Sequence, residues 1–190
     1  MRILVLDGHP DPDRARFVHA LADAYAESAT AAGHQAGRLD VATLGIAPLR
    51  SVAEWEGEAA EPIRAAQEAI AGAEHIVMLY PLWLGDIPAA LKALLEQVLR
   101  PGFAFPAGVE RLNAGLLKGR SVRVVGTMGM PAPVYRWFFG AHSLRSLDRN
   151  ILRFVGMGPV RWTLIGGVGG MTEAAQGWTA KLRALGAAGS

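Results

Sequence analysis

Five short strand-like runs, four of them largely apolar, recur along this chain with stretches of helical period between them, and that alternation leaves few architectures open. The runs occupy residues 3–6, 35–41, 74–80, 121–127 and 160–165, with 35–41 the weak and more polar one. Between them the apolar spacing changes from continuous to helical. Residues 17–32 carry Phe17, Leu21 and Tyr25 four apart and end at Gly33. Residues 63–71 predict a second helix. Residues 88–99 place Leu91, Leu94, Leu95 and Val98 at i, i+3, i+4 and i+7. Residues 144–155, with Leu144, Leu147, Ile151 and Phe154, and residues 172–185 predict two more. Strands that are apolar throughout must be buried on both faces. The pattern therefore predicts an α/β fold, a doubly wound five-stranded parallel sheet with helices on both sides. Residues 42–61 and 100–119 have no period and are expected as loops. No repeat or composition break divides the chain, so residues 1–190 are expected to form one domain.

The composition excludes several classes. A chain 51% hydrophobic and 19% charged can bury a core and is not disordered. No apolar run approaches the ~18 residues of a membrane span. The opening Met1-Arg2-Ile3-Leu4-Val5-Leu6-Asp7 turns acidic too early for a signal peptide, so a cytoplasmic protein is expected. Without cysteine, disulfides, thiolate catalysis and cysteine-based zinc sites are excluded. The five histidines are scattered without ligand spacing, and no metal site is expected. A net charge of +2 does not mark a nucleic-acid binder.

In a doubly wound sheet, ligands bind beyond the carboxyl ends of the strands. The chemistry should therefore lie in the loops after Asp7, Tyr80 and Thr127. The G-x-x-x-x-G-K-[ST] and G-x-S-x-G signatures are absent, and Gly167-Val168-Gly169-Gly170 reads as an ordinary strand-to-helix turn. Pro81-Leu82-Trp83-Leu84-Gly85 is a greasy turn where a polar one is normal. Such a turn offers an apolar wall to a flat ring; Trp83 could equally be core or subunit interface. The loop from Gly8 to Phe17 leads into a helix N-terminus, which favours phosphate, and His9, Arg14 and Arg16 could add positive charge there. His9 could instead serve only to stabilise the turn. In Thr127-Met128-Gly129 the glycine permits close backbone approach. A planar heterocycle with a phosphate tail is a flavin.

The chain also resembles the flavodoxin-like NAD(P)H:quinone oxidoreductases of the DT-diaphorase type. The strand-His-Pro opening from Leu4 to Pro10, Phe17 at the first helix, "YPLWLGDIPAALK" and "EQVLRPGFAF" carry the resemblance. The block "VYRWFFGAHSLRSLDRNILRFVG" places Tyr135 and His142 where that family has a Tyr and a His. The resemblance implies a bound flavin, FAD with FMN as the alternative, and two-electron transfer as hydride from NADH or NADPH to a quinone or similar acceptor. It also implies a homodimer with sites at the subunit interface. Flavin contacts would come from His9, Arg16, Phe17, Val18, Pro81, Leu82, Trp83, Leu84, Gly85, Thr127, Met128 and Gly129. Tyr135 and His142 would be catalytic, donating hydrogen bonds to the reduced ring; the residues themselves could equally be packing and helix-start positions. Arg16 and Val18 stand where the family often has Ser or Thr and Asn, so a hydroxyl and an amide contact to the phosphate are replaced.

A rival reading is a non-catalytic flavodoxin-like regulatory subunit, for example one ancillary to a potassium-efflux transporter. It is favoured by the altered phosphate loop and by Arg145, Arg149 and Arg153, four residues apart on one helix. That stripe could be a solvated or dimer-contacting face, a dock for nicotinamide phosphates, or a weak contact with an acidic membrane surface. It lacks interleaved aromatics for stacking bases, so no nucleic-acid partner is expected.

Overall fold

In the computed structural model, which describes residues 1–108, 115–170 and 173–190, the five runs form one sheet. The strands are β1 (Arg2–Asp7), β2 (Gln35–Asp40), β3 (His75–Pro81), β4 (Ser121–Thr127) and β5 (Val160–Ile165). All pairs are parallel, in the order β2-β1-β3-β4-β5. This is the flavodoxin-like order, and the direction of winding reverses between β1 and β3. The helices are α1 (Phe17–Ala31), α2 (Val41–Leu44), α3 (Val52–Glu56), α4 (Ile63–Gly72), α5 (Ala89–Val98), α6 (His142–Ser146) and α7 (Glu173–Ala187).

The continuous apolar runs are explained by two cores. Ile3, Val5, Val77, Leu79, Val125 and Ile165 face α1 and α7, where they meet Leu21, Tyr25 and Leu182. The alternate residues Leu4, Leu6, Ile76, Met78, Tyr80 and Val124 face the other way, onto Ile70, Leu91, Leu94, Leu144 and Leu147. Strand side chains alternate between faces, so a strand covered on both sides reads as nearly continuous apolar sequence, and its few polar residues, such as Asp7, His75, Arg123 and Thr163, are buried. No described helix is long and apolar enough to cross a membrane.

Several elements differ from expectation. The 42–61 loop contains the short helices α2 and α3, the latter capped by the Ser51 hydroxyl accepting the Glu54 N–H. The helix expected over 144–155 begins earlier, at His142, and widens into a π-helical turn over Leu147–Leu152. Its Phe154 is half exposed rather than core, and packs on Phe105. A further π-turn, Val134–Phe138, lies in a stretch between prolines and a glycine where apolar residues have no period. Part of the 100–119 loop, residues 109–114, and the expected helix start at Thr172 lie outside the described residues.

Candidate functional site

The loops after β1, β3 and β4 converge at the switch point, as the topology requires. After β3 the chain reverses within two residues. The Trp83 N–H donates to the Asp86 carbonyl and the Asp86 N–H to the Trp83 carbonyl, both at 2.9 Å. Leu84 and Gly85 lie between them at φ 49° and 82°. Both values are left-handed, as in a type I′ turn, where Gly85 is at home and a leucine is not. Holding Leu84 there costs about 1–2 kcal/mol. The strained side chain is fully exposed at 107%, and Trp83 beside it at 49%. A strained, exposed, apolar residue in a tightly bonded turn is a feature that marks functional sites.

The turn borders a cavity of about 580 Å³, within the range that holds cofactors and small ligands, lined by Trp83, Leu84, Ile87, Ser143, Leu147 and Ile151. Two further contacts fix it. The Leu82 N–H donates to the Thr127 carbonyl at 2.7 Å, tying the turn to the end of β4. The Ser143 hydroxyl donates to the Gly85 carbonyl at 2.7 Å, tying it to α6. Ser143 in turn lies 2.7 Å from the Tyr135 hydroxyl, which accepts the Leu144 N–H at 3.3 Å. Since Ser143 donates onward to Gly85, Tyr135 donates to Ser143. Its hydroxyl is fully used in bracing the turn, and the ring is buried.

His142 is exposed, with its ring against Gly140, and α6 starts from Ala141 at φ 48°. Ala141 and Leu84 are the two described non-glycine residues at positive φ, and the Ser143–Gly85 bond joins their segments. Thr127 and Met128 are buried, and the Met128 backbone bonds to β5 and the loop after it. Around Gly129 there is open space within 4 Å, so no protein neighbour requires glycine there. Gly8 differs: a Cβ would sit 2.8 Å from Leu91 and 2.9 Å from the Leu79 carbonyl.

After β1 the loop is closed by polar bonds. Asp7, fully buried, accepts the His9 N–H at 3.1 Å, meets His19 Nδ1 at 2.5 Å and accepts from Arg38 at 2.8 Å. His19 Nε2 donates to the Asp11 carbonyl at 2.8 Å. The Asp11 N–H donates to His9 Nδ1 at 3.1 Å, so the neutral His9 carries its proton on Nε2. Burial, and then the neighbouring His19, hold the His9 pKa below its ordinary value. The His9 ring stands edge-on to Trp83, centroids 5.8 Å apart, which links the two loops.

The expected phosphate residues are placed differently from the expectation. Arg16 sits just before α1 with its guanidinium on Asp11 at 2.7 Å and Asp13 at 3.3 Å. The Val18 side chain lies in the core, so only its N–H could meet a ligand. Phe17 is half-buried and packs on the same core. Asp7, His19, Arg38 and Ser143 escaped the sequence reading. The one available signal was His19, a polar residue on the buried face of α1 among Val18, Leu21 and Ala22.

The chain matches a flavodoxin-like fold family over residues 1–188 and belongs to it. The resemblance to flavodoxin-like NAD(P)H:quinone oxidoreductases is thereby borne out. An uncharacterized NAD(P)H oxidoreductase of Haemophilus influenzae is 29% identical over 173 residues, covering 88% of this chain and 85% of its own. An FMN-dependent NADH:quinone oxidoreductase of Ruegeria pomeroyi is 36% identical over 63 residues, 33% of this chain and 31% of its own. The structure of an NAD(P)H:quinone oxidoreductase from Methanothermobacter marburgensis superposes with TM-score 0.85 at 24% identity, covering 100% of this chain and 99% of its own.

Proposed function

We propose that this chain is a flavin-dependent NAD(P)H oxidoreductase that passes two electrons as hydride to a quinone-like acceptor. The observation that carries it is the Trp83–Asp86 turn: strained, apolar, exposed, and placed at the switch point beside a cavity of ligand size. The FMN-dependent relative favours FMN over the FAD first expected. A bound flavin supplies the hydride chemistry. The chain's residues do the rest. Trp83 and Leu84 form a wall for the ring, and the backbone of the turn, held by Ser143 and Thr127, offers fixed hydrogen-bonding edges. His9 presents an Nε2–H, and Tyr135 orients the turn through Ser143. Exposed His142 is the remaining candidate for moving the accompanying proton.

A homodimer fits the exposed Trp137, Phe138 and Phe139, which a monomer would leave in water. The cytoplasm, where NADH and NADPH are found, is the compartment that suits the reaction. The regulatory reading draws on one observation, that Arg16 and Tyr135 are both consumed in internal contacts. One experiment separates the two readings. The protein is loaded with FMN, its visible spectrum is recorded anaerobically, and NADH or NADPH is added. Bleaching near 450 nm, reversed by a quinone, is expected; a flavin that stays oxidised would leave the regulatory reading in place.

A further inference from the structure

We infer that this chain recognises flavin through the ring and draws almost nothing from the phosphate, so that riboflavin, FMN and FAD bind with similar affinity. The inference rests on the flavin reading above and goes beyond it to the ligand specificity of the site. It comes from the loop of residues 8–16, most of whose groups that could hold a phosphate are already engaged within the protein, chiefly by the carboxylates of Asp7, Asp11, Asp13, Asp23 and Asp40.

The backbone donors are taken in order along the loop. The His9 N–H goes to Asp7 Oδ1 and the Asp11 N–H to the His9 ring. The Asp13 N–H goes to Asp11 Oδ1 at 3.0 Å, and the Ala15 N–H to Asp13 Oδ1 at 3.0 Å. The Arg16 N–H goes to the Asp13 carbonyl at 3.1 Å. Pro10 and Pro12 have no N–H to give. The N–H groups of Arg14, Phe17 and Val18 remain.

The cations are taken as well. Arg16 is clasped between Asp11 and Asp13. Arg14 bonds Asp23 at 2.6 Å and lies 3.5 Å from Asp40. Arg38 is held by Asp7, Asp23 and Asp40. His9 is kept neutral. The first turn of α1 therefore offers an anion only a few N–H groups and the helix dipole. Against that stand the carboxylates of Asp11 and Asp13, with Arg16 offsetting only one of the two charges. The Asp13 N–H, with the Arg16 guanidinium, holds the Asp11 carboxyl below its ordinary range, so it stays ionised at neutral pH. A phosphate dianion at this place gains and loses by similar amounts. On the ring side Trp83 and Leu84 are apolar and exposed, with Asp86 the single carboxylate of the turn.

The test is a titration of apo-protein with riboflavin, FMN and FAD at pH 7.5, followed by quenching of flavin fluorescence. The three dissociation constants are expected within about fivefold of each other, with FMN binding nearly flat against added salt. FMN binding tenfold or more tighter than riboflavin would overturn the inference and leave the flavin reading standing. Binding of none of the three would overturn both. The double variant Asp11→Asn, Asp13→Asn keeps both Oδ1 acceptors and removes the charges. It is expected to raise FMN affinity at least fivefold with riboflavin unchanged. Equal change for both ligands, or none, counts against the inference.

Discussion

The loops after β1 and β3 lie side by side at the same edge of the sheet, and they are built on opposite plans. Residues 8–16 form a loop whose polar groups answer one another, anchored on a buried carboxylate with three partners. Residues 83–86 form a turn with two reciprocal backbone bonds and side chains that touch little of the protein. Internal satisfaction stabilises the fold and leaves few groups for a ligand. Exposed apolar area costs the fold and becomes favourable only when something covers it. On the proposed flavin reading, the first loop serves structure and the second recognition. Substitutions should divide the same way, with the first loop showing in melting temperature and the second in affinity.

The largest effect is expected at His19. His19→Ala removes one partner of a buried, fully shielded Asp7, and breaking such a pair costs about 3 kcal/mol or more. Chemical denaturation should show that loss; a variant within 1 kcal/mol of the parent would mean that Arg38 and the His9 N–H suffice for Asp7. Trp83→Ala comes next and should do the reverse. Loss of an aromatic wall should weaken FMN binding by about 10- to 100-fold, while stability changes little because the side chain is half exposed. Unchanged affinity would remove Trp83 from the site.

Tyr135→Phe lies between the two classes. It removes a hydroxyl that accepts the Leu144 N–H and steadies Ser143, costing about 1 kcal/mol. Stopped-flow reduction of bound flavin by NADH should slow only several-fold. A loss of about 10²-fold, the scale of a preorganised donor lost from the reacting group, would show Tyr135 acting on the ring directly. The smallest effect concerns pH. The folded state holds His9 below its ordinary value of 6.5. As pH falls below 6.5 the unfolded chain takes the proton first, so His9 contributes stability that is present above that pH and lost as pH drops. Melting temperature between pH 7.5 and 5.5 should therefore fall slightly more steeply in the parent than in His9→Asn. Parallel slopes would show that the imidazole is not held neutral.

The fold was legible because the central strands β1, β3 and β4 are buried on both faces, which writes them into the sequence as nearly unbroken apolar runs such as Ile76 to Tyr80, whereas the half-exposed edge strand β2 leaves only a weak signal. The apolar turn at Trp83 was legible for a related reason: exposed grease in a tight turn is costly and therefore informative. What could not be read is what topology brings together. Asp7, His19 and Arg38 come from β1, α1 and β2 and meet only when the sheet forms. The Ser143–Gly85 bond spans 58 positions. Arg16 carries charge suited to a phosphate, and the sequence contains Asp11 and Asp13 in plain view. Only the loop's conformation shows that those acids claim it. Val18 was assigned a ligand role by position in a motif, whereas its direction is set by the face α1 turns inward.

The central position of β1 bears on how the chain is made. In the sheet β1 is flanked by β2 and β3, and α1 packs along α7, far from it in sequence. A growing chain can pair β1 with β2 early, but that parallel pair leaves the inner edge of β1 open until β3 follows, and its α1-covered face is completed only by α7. Folding by this order of pairing is slow, since parallel strands meet only after long connections close. Ile3 and Val5 of β1 can pack on Leu21 and Tyr25 of α1 as soon as both elements exist, and Leu182 of α7 closes the same cluster last.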